Sequence, residues 1–252
     1  MAKPISGWNV RGINDHLKAK ELGVFRGLNY ISCLGLFETK VRANNYDTIR
    51  SLCCPASWSH INNYSKDPSG RIWVMWDPVT IDIQKIEESD QFVHCKALLL
   101  PSNQICLITF VYTRNAKTQR LVLWEDLKRL NNSINLPWCV LGDFKNVFFA
   151  DERRGGEPVH TRETEIFKDC LVQKGLVDHK ASRFFFTWSN SSQGNGRIQS
   201  RIDRFLMGEN SMHLFFECPY SKEVWLEVKN RLSINTDTRN TNWEWWSILK
   251  MS

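Results

Sequence analysis

The sequence predicts a layered α/β sandwich, on three observations. Short apolar runs recur between residues 5 and 207, at lengths that suit buried strands. Amphipathic stretches with helical spacing fall between some runs, yet other runs follow one another directly, which argues against strict βαβ alternation. With 252 residues, 42% of them hydrophobic and 24% charged, the chain can bury a large core as one domain with an appendage.

In chain order, ISGWNV opens as a strand and HLKAKELGVFRGL (16–28) reads as a helix. The apolar YISCLGLFE follows, then NYDTIRSLCC as a second, shorter helix. RIWVMWD, KALLLP and ICLITFVY are a run of strands. TQRLVLWEDLKRLNN carries Leu121, Trp124, Leu127 and Leu130 at helical spacing with polar residues between. RETEIFKDCLVQKG repeats that pattern through Ile166, Phe167, Cys170 and Leu171, and Gly175 supplies a stop. RFFFTWS and RIDRFLM close the series as strands, joined by the turn-forming SNSSQGNG. No internal repeat is present.

Composition narrows the setting. Net charge is +6, which a nucleic-acid partner and an ordinary solvated surface satisfy equally. Eleven Trp and fourteen Phe lie mostly inside the apolar runs, so packing is their default role. Of eight cysteines none forms a CxxC and five sit in strand-like stretches, the pattern of free thiols in a reducing compartment. MAKPISGWNV lacks the apolar segment of a secretory signal, and no run approaches the ~18 residues that span a bilayer. The expectation is a soluble protein of the nucleus or cytoplasm, without a membrane partner.

The chemistry lies at the ends of the apolar runs. Asn9, Glu38, Tyr112, Asp143 and Asp203 each end or border one, and strand ends gather on one rim of a sheet enzyme. Phosphodiester cleavage by in-line attack of water needs a cation for the charge on the phosphoryl oxygens, a base for the water and donors for the transition state. Glu38 suits a hard divalent metal, Asp143 the water, and Asn9 and Tyr112 a ligand or phosphate donor. Arg11, Lys40 and Arg114 stand beside these residues, where they contact phosphate or simply face solvent.

The motifs WNVRGIN, LFETK, VYTRN, PWCVLGDFKNVFFADERRGG, GLVDH, FFFTWSN and SRIDRFL occur in this order. Together they resemble the exonuclease–endonuclease–phosphatase superfamily, in particular the apurinic-type endonuclease domain of plant LINE retrotransposon proteins. The resemblance covers residues 5–207. It implies a four-layer sandwich of two mixed β-sheets flanked by helices, and Mg²⁺-dependent (or Mn²⁺-dependent) nicking of DNA by a phosphodiester hydrolase. By position it places Asn9 and Glu38 at the metal, Tyr112 beside the scissile phosphate, Asp143 on the attacking water and Asp203 in support. Asp178, Thr187 and Trp188 fall at positions that shape the floor, with Trp188 against nucleic acid.

Two departures bear on activity. The family's GDFN reads GDFK here, so Lys145, a hydrated point charge without acceptor capacity, replaces an asparagine. The family's last strand, which carries Ser-Asp-His, has no counterpart. Beyond it, residues 208–252 resemble a remnant of the reverse-transcriptase zinc-binding domain, with a helix from Ser221. Only His213 and Cys218 of its ligand set remain, and structural zinc takes four ligands, so no zinc is expected. The sequence expectation is two regions, 1–207 and 208–252, and a sandwich lacking its last strand. Three readings stay open: an active Mg²⁺ endonuclease, an impaired protein that still binds nucleic acid, and a vestigial fragment.

Overall fold

A computed structural model describes residues 5–100, 102–172, 175–178 and 185–208. The chain divides into two compact units, one ending at Tyr112 and the other starting at Thr113. Its elements form two large mixed sheets and, among the described residues, four helices: the α/β class the sequence predicts.

In the first unit, β1 (Ile5–Asn9) and β2 (Cys33–Phe37) run parallel, joined by helix α1 (His16–Leu28). Asp15 starts α1, its carboxylate accepting from the Leu17 N–H at 2.8 Å. Helix α2 (Tyr46–Cys53) and strands β3 (Ser59–Asn62) and β4 (Ile72–Trp76) follow, giving the order β1-β2-β4-β3. Every residue of β2 and β4 is buried, the mark of strands covered on both faces. Strands β5 (Ile81–Glu88), β6 (Phe92–Leu99) and β7 (Gln104–Tyr112) form an antiparallel meander. A Cβ on Gly35 of β2 would lie 2.4 Å from the Phe110 ring of β7, so glycine lets these strands pack closely.

The second unit begins with helix α3 (Lys117–Asn132) and strand β8 (Trp138–Asp143). β9 (Arg153–Arg154), helix α4 (Thr161–Val172) and β10 (Leu176–Asp178) come next. β11 (Trp188–Ser189), β12 (Gln199–Ser200) and β13 (Asp203–Gly208) complete it. β13 pairs antiparallel with both β8 and β10, while β11, β12 and β9 form a small sheet of their own. Its core is aromatic: Phe167 of α4 lies 4.5 Å from Trp124 of α3, 5.4 Å from Phe144 and 4.7 Å from Phe148, between ring centres.

Several local expectations change. Leu121 is 44% exposed, and Leu123 takes its place on the buried face with Trp124, Leu127 and Leu130. β5 reads as polar in sequence because only Ile81 and Ile83 of it are buried. Among the described residues of FFFTWS, only Trp188–Ser189 form a strand. The seven described cysteines are all buried. Residues 209–252, including His213, Cys218 and the helix expected from Ser221, lie outside the described residues.

Candidate functional site

The expected residues fall into two sets, one in each unit. In the first unit Asn9 ends β1, in register with Phe37, and Glu38 follows directly on β2. The amide oxygen of Asn9 accepts the Arg11 N–H at 3.0 Å, a tight polar turn that sets Arg11 at φ +49°. Glu38 stands at φ +58° and Lys40 at φ +56°, and the Lys40 ammonium meets the Glu38 carboxylate at 2.7 Å. Backbone bonds lock the two loops together: Val10 N–H to Phe37 O, Gly12 N–H to Glu38 O and Ile13 N–H to Thr39 O, at 2.7–3.0 Å. Lys18 adds its ammonium to the carbonyls of Val10 and Gly12.

Tyr112 ends β7 with its ring buried. Its hydroxyl accepts from Arg71 Nη1 at 3.5 Å, and Arg71 is ion-paired through Nε to the buried Asp67 at 3.0 Å. Neither residue was in the expected set. Arg71 stands at the start of an apolar run, whereas attention to run ends finds Asn9, Glu38 and Tyr112.

In the second unit, Asp143 ends β8 and is 1% exposed. Its carboxylate accepts the Lys145 N–H at 3.0 Å, the same two-residue turn as at Asn9, with Lys145 at φ +48°. The Lys145 ammonium donates to the Asn115 side-chain oxygen at 2.7 Å. The Asp143 carbonyl accepts from Thr113 through both N–H (3.0 Å) and hydroxyl (3.2 Å). Asp203 opens β13 directly opposite Asp143 in the strand register. Thr187 pins that strand end, its hydroxyl accepting the N–H of Ile202 and of Asp203 at 2.9 and 3.0 Å. Trp188, half-buried, pairs with Ser200, and Arg114 is half-buried after β7.

Asp178 belongs to a buried ionic quartet with Glu152, Arg201 and Arg204. Arg204 reaches both acids, Arg201 does the same at 3.0 Å from Asp178 and 3.3 Å from Glu152, and the Arg204 guanidinium lies 3.8 Å over the Phe148 ring. Burial pushes the Glu152 carboxyl up, but hydrogen bonding and charge from Arg204 outweigh it and hold the group below the usual range. The quartet fastens β13, and so the strand that bears Asp203, to the turn at Glu152.

Among the described residues no three His, Cys, Asp or Glu side chains gather as a metal cage. The Asn9 amide and Glu38 carboxylate are hard oxygen donors, and Glu38 already holds a cation, the Lys40 ammonium. Oxygen donors of this kind are the type that hard divalent cations take. Among the described residues no helix is long and apolar enough to cross a membrane.

Solved structures share this architecture. The endonuclease domain of TRAS1, a telomere-specific non-LTR retrotransposon, superposes with a TM-score of 0.63 at 13% identity, covering 84% of this chain and 88% of that one. The AP endonuclease of Leishmania major gives 0.62 at 17% identity, over 81% and 78%. An endonuclease/exonuclease/phosphatase family protein from Bacteroides thetaiotaomicron gives 0.54 at 14%, over 80% and 79%. The fold is the one these proteins share. No protein-family profile and no curated protein matches the sequence.

Proposed function

We propose that the chain is a retroelement-derived, metal-dependent DNA endonuclease-type phosphodiesterase with impaired turnover. The observation that carries this is backbone strain at the expected residues. Among the described residues seven non-glycines have positive φ, and Arg11, Glu38, Lys40 and Lys145 are four of them. Such conformations cost about 1–3 kcal/mol each and gather where a site demands them. The likeness to the TRAS1 and Leishmania endonucleases supports the same class.

In this reading Asn9 and Glu38 hold Mg²⁺ or Mn²⁺, which when bound neutralises charge on the phosphoryl oxygens. Asp143 orients water and takes its proton as oxygen attacks phosphorus and the ester P–O bond breaks. Asp203 supports Asp143, the Tyr112 phenol donates to a phosphoryl oxygen, and Arg11, Lys40, Arg114 and Trp188 contact the strand. Lys145 replaces an asparagine with a cation that attracts phosphate and repels metal. The family's terminal histidine has no counterpart in the sequence, and one such donor is worth about 10²–10³ in rate. The plant LINE origin, the remnant of a zinc-binding domain from residue 208 without zinc, and a nuclear or cytoplasmic location belong to the same proposal.

A second reading, nucleic-acid binding without turnover, is favoured by the Lys145 ammonium held on Asn115. Nicking of supercoiled plasmid decides between them. Slow nicking in Mg²⁺, absent in EDTA and in Asp143→Ala, is the expected result. Folded protein that leaves the plasmid intact in Mg²⁺ and Mn²⁺ would overturn the enzyme reading, and salt-dependent DNA binding would then separate a nucleic-acid-binding protein from a vestigial one.

A further inference from the structure

Tyr112 has a role above, but Asp67 and Arg71, which reach its hydroxyl, have none. Asn63, fully buried, accepts the Ile72 N–H on its side-chain oxygen at 3.0 Å, and its carbonyl accepts the Asp67 N–H at 2.9 Å. The Gly70 N–H closes the turn on the Asp67 carbonyl at 2.8 Å, and Gly70 itself stands at φ +52° against the Tyr64 ring. The Thr39 hydroxyl ties the Gly70 carbonyl to the loop of Glu38 and Lys40 at 2.6 Å. Arg71 therefore leaves a fixed turn. Its Nε lies 3.0 Å from the Asp67 carboxylate as an ion pair, the same carboxylate accepts the Ser69 N–H at 2.8 Å, and Nη1 donates to the Tyr112 hydroxyl at 3.5 Å. The guanidinium carbon lies 5.7 Å from the centre of the Tyr112 ring, and the side chain keeps 27% exposure.

We infer that Arg71 is a substrate-binding residue for a backbone phosphate of nucleic acid, and that it presents this phosphate to the Tyr112 hydroxyl. Arginine carries five N–H donors in a rigid fork, and a fork held in place by an ion pair at Nε and a hydrogen bond at Nη1 is preorganised for a further oxyanion. The buried partner explains why an arginine is held beside a phenol at all: a structural ion pair with Asp67 needs no contact with Tyr112. This inference rests on the nucleic-acid reading above and deepens it.

The test is the salt dependence of duplex DNA binding by the full chain in EDTA, followed by fluorescence anisotropy. The informative variant is the double substitution Asp67→Asn with Arg71→Met, which removes both members of the ion pair together and leaves net charge unchanged. One lost phosphate contact lowers the slope of log affinity against log salt by about 0.9. The expected result is that loss in the double variant, with the slope retained but affinity several-fold weaker in Arg71→Lys, which keeps the charge and loses the fork. A wild-type slope in the folded double variant would overturn the role of Arg71 alone. Should the double variant not fold, Arg71→Lys with unchanged affinity would overturn it equally. Absence of salt-dependent binding by the wild-type chain would instead sink the nucleic-acid reading, and this inference with it.

Discussion

Lys40 keeps its ammonium 2.7 Å from Glu38, on the carboxylate assigned to the metal, while remaining half exposed. An exposed pair of this kind is worth about 0.2–1 kcal/mol. A metal entering at Glu38 must displace it, so Lys40→Met is expected to tighten Mn²⁺ binding by up to about fivefold. Titration of free Mn²⁺ by electron paramagnetic resonance measures this; weaker binding in the variant would mean that Lys40 assists the metal. At this scale the sequence was informative about residue types and silent about partners. Asn9, Glu38, Tyr112 and Asp143 announce themselves as polar groups closing apolar runs. Arg71 opens one, and its partner Asp67 lies in a turn four residues earlier, so only the folded chain joins them.

Helices and strands were legible where burial is one-sided or complete. β2 and β4 are apolar throughout because both faces are covered, and α1 and α2 occupy the stretches their periodicity marks. The buried face of α3 takes Leu123 and not Leu121, since both fit the spacing and only packing chooses between them. β5 has no apolar run to mark it, because its outer positions are polar. Close approach between strands is equally invisible in sequence. Gly35 looks like a weak point in a strand, yet it is where Phe110 packs. Gly35→Ala forces that ring or the strand to move and is expected to cost about 1–3 kcal/mol. Denaturant unfolding checks this, and combining it with Phe110→Leu is expected to recover part of the loss.

For the molecule as a whole, acid tolerance depends on the quartet of Glu152, Asp178, Arg201 and Arg204. Glu152 has a depressed folded-state pKa, so its stabilisation is present above the unfolded value of about 4.3 and is lost as pH falls through the lower folded value. Thermal midpoints are expected to hold steady from neutral pH to about 5 and to fall below about 4. Removing one partner leaves buried charge uncompensated, so Glu152→Gln is expected to cost about 3–5 kcal/mol at neutral pH and to flatten the acid limb. Nothing in the sequence pairs these four, which are separated by up to 52 residues. The ADERR stretch reads as a solvated charge run, yet it contributes the buried Glu152.

The left-handed residues Arg11, Glu38, Lys40 and Lys145 have one more consequence, for anyone selecting heat-resistant forms of this protein. Glycine adopts those angles at no steric penalty, so replacements there release about 1 kcal/mol apiece. A screen that rewards survival at high temperature alone would collect them early, and each winner would have surrendered a side chain that the proposed function uses. Robustness and competence are opposed at these four positions, and a search meant to keep both has to leave them alone.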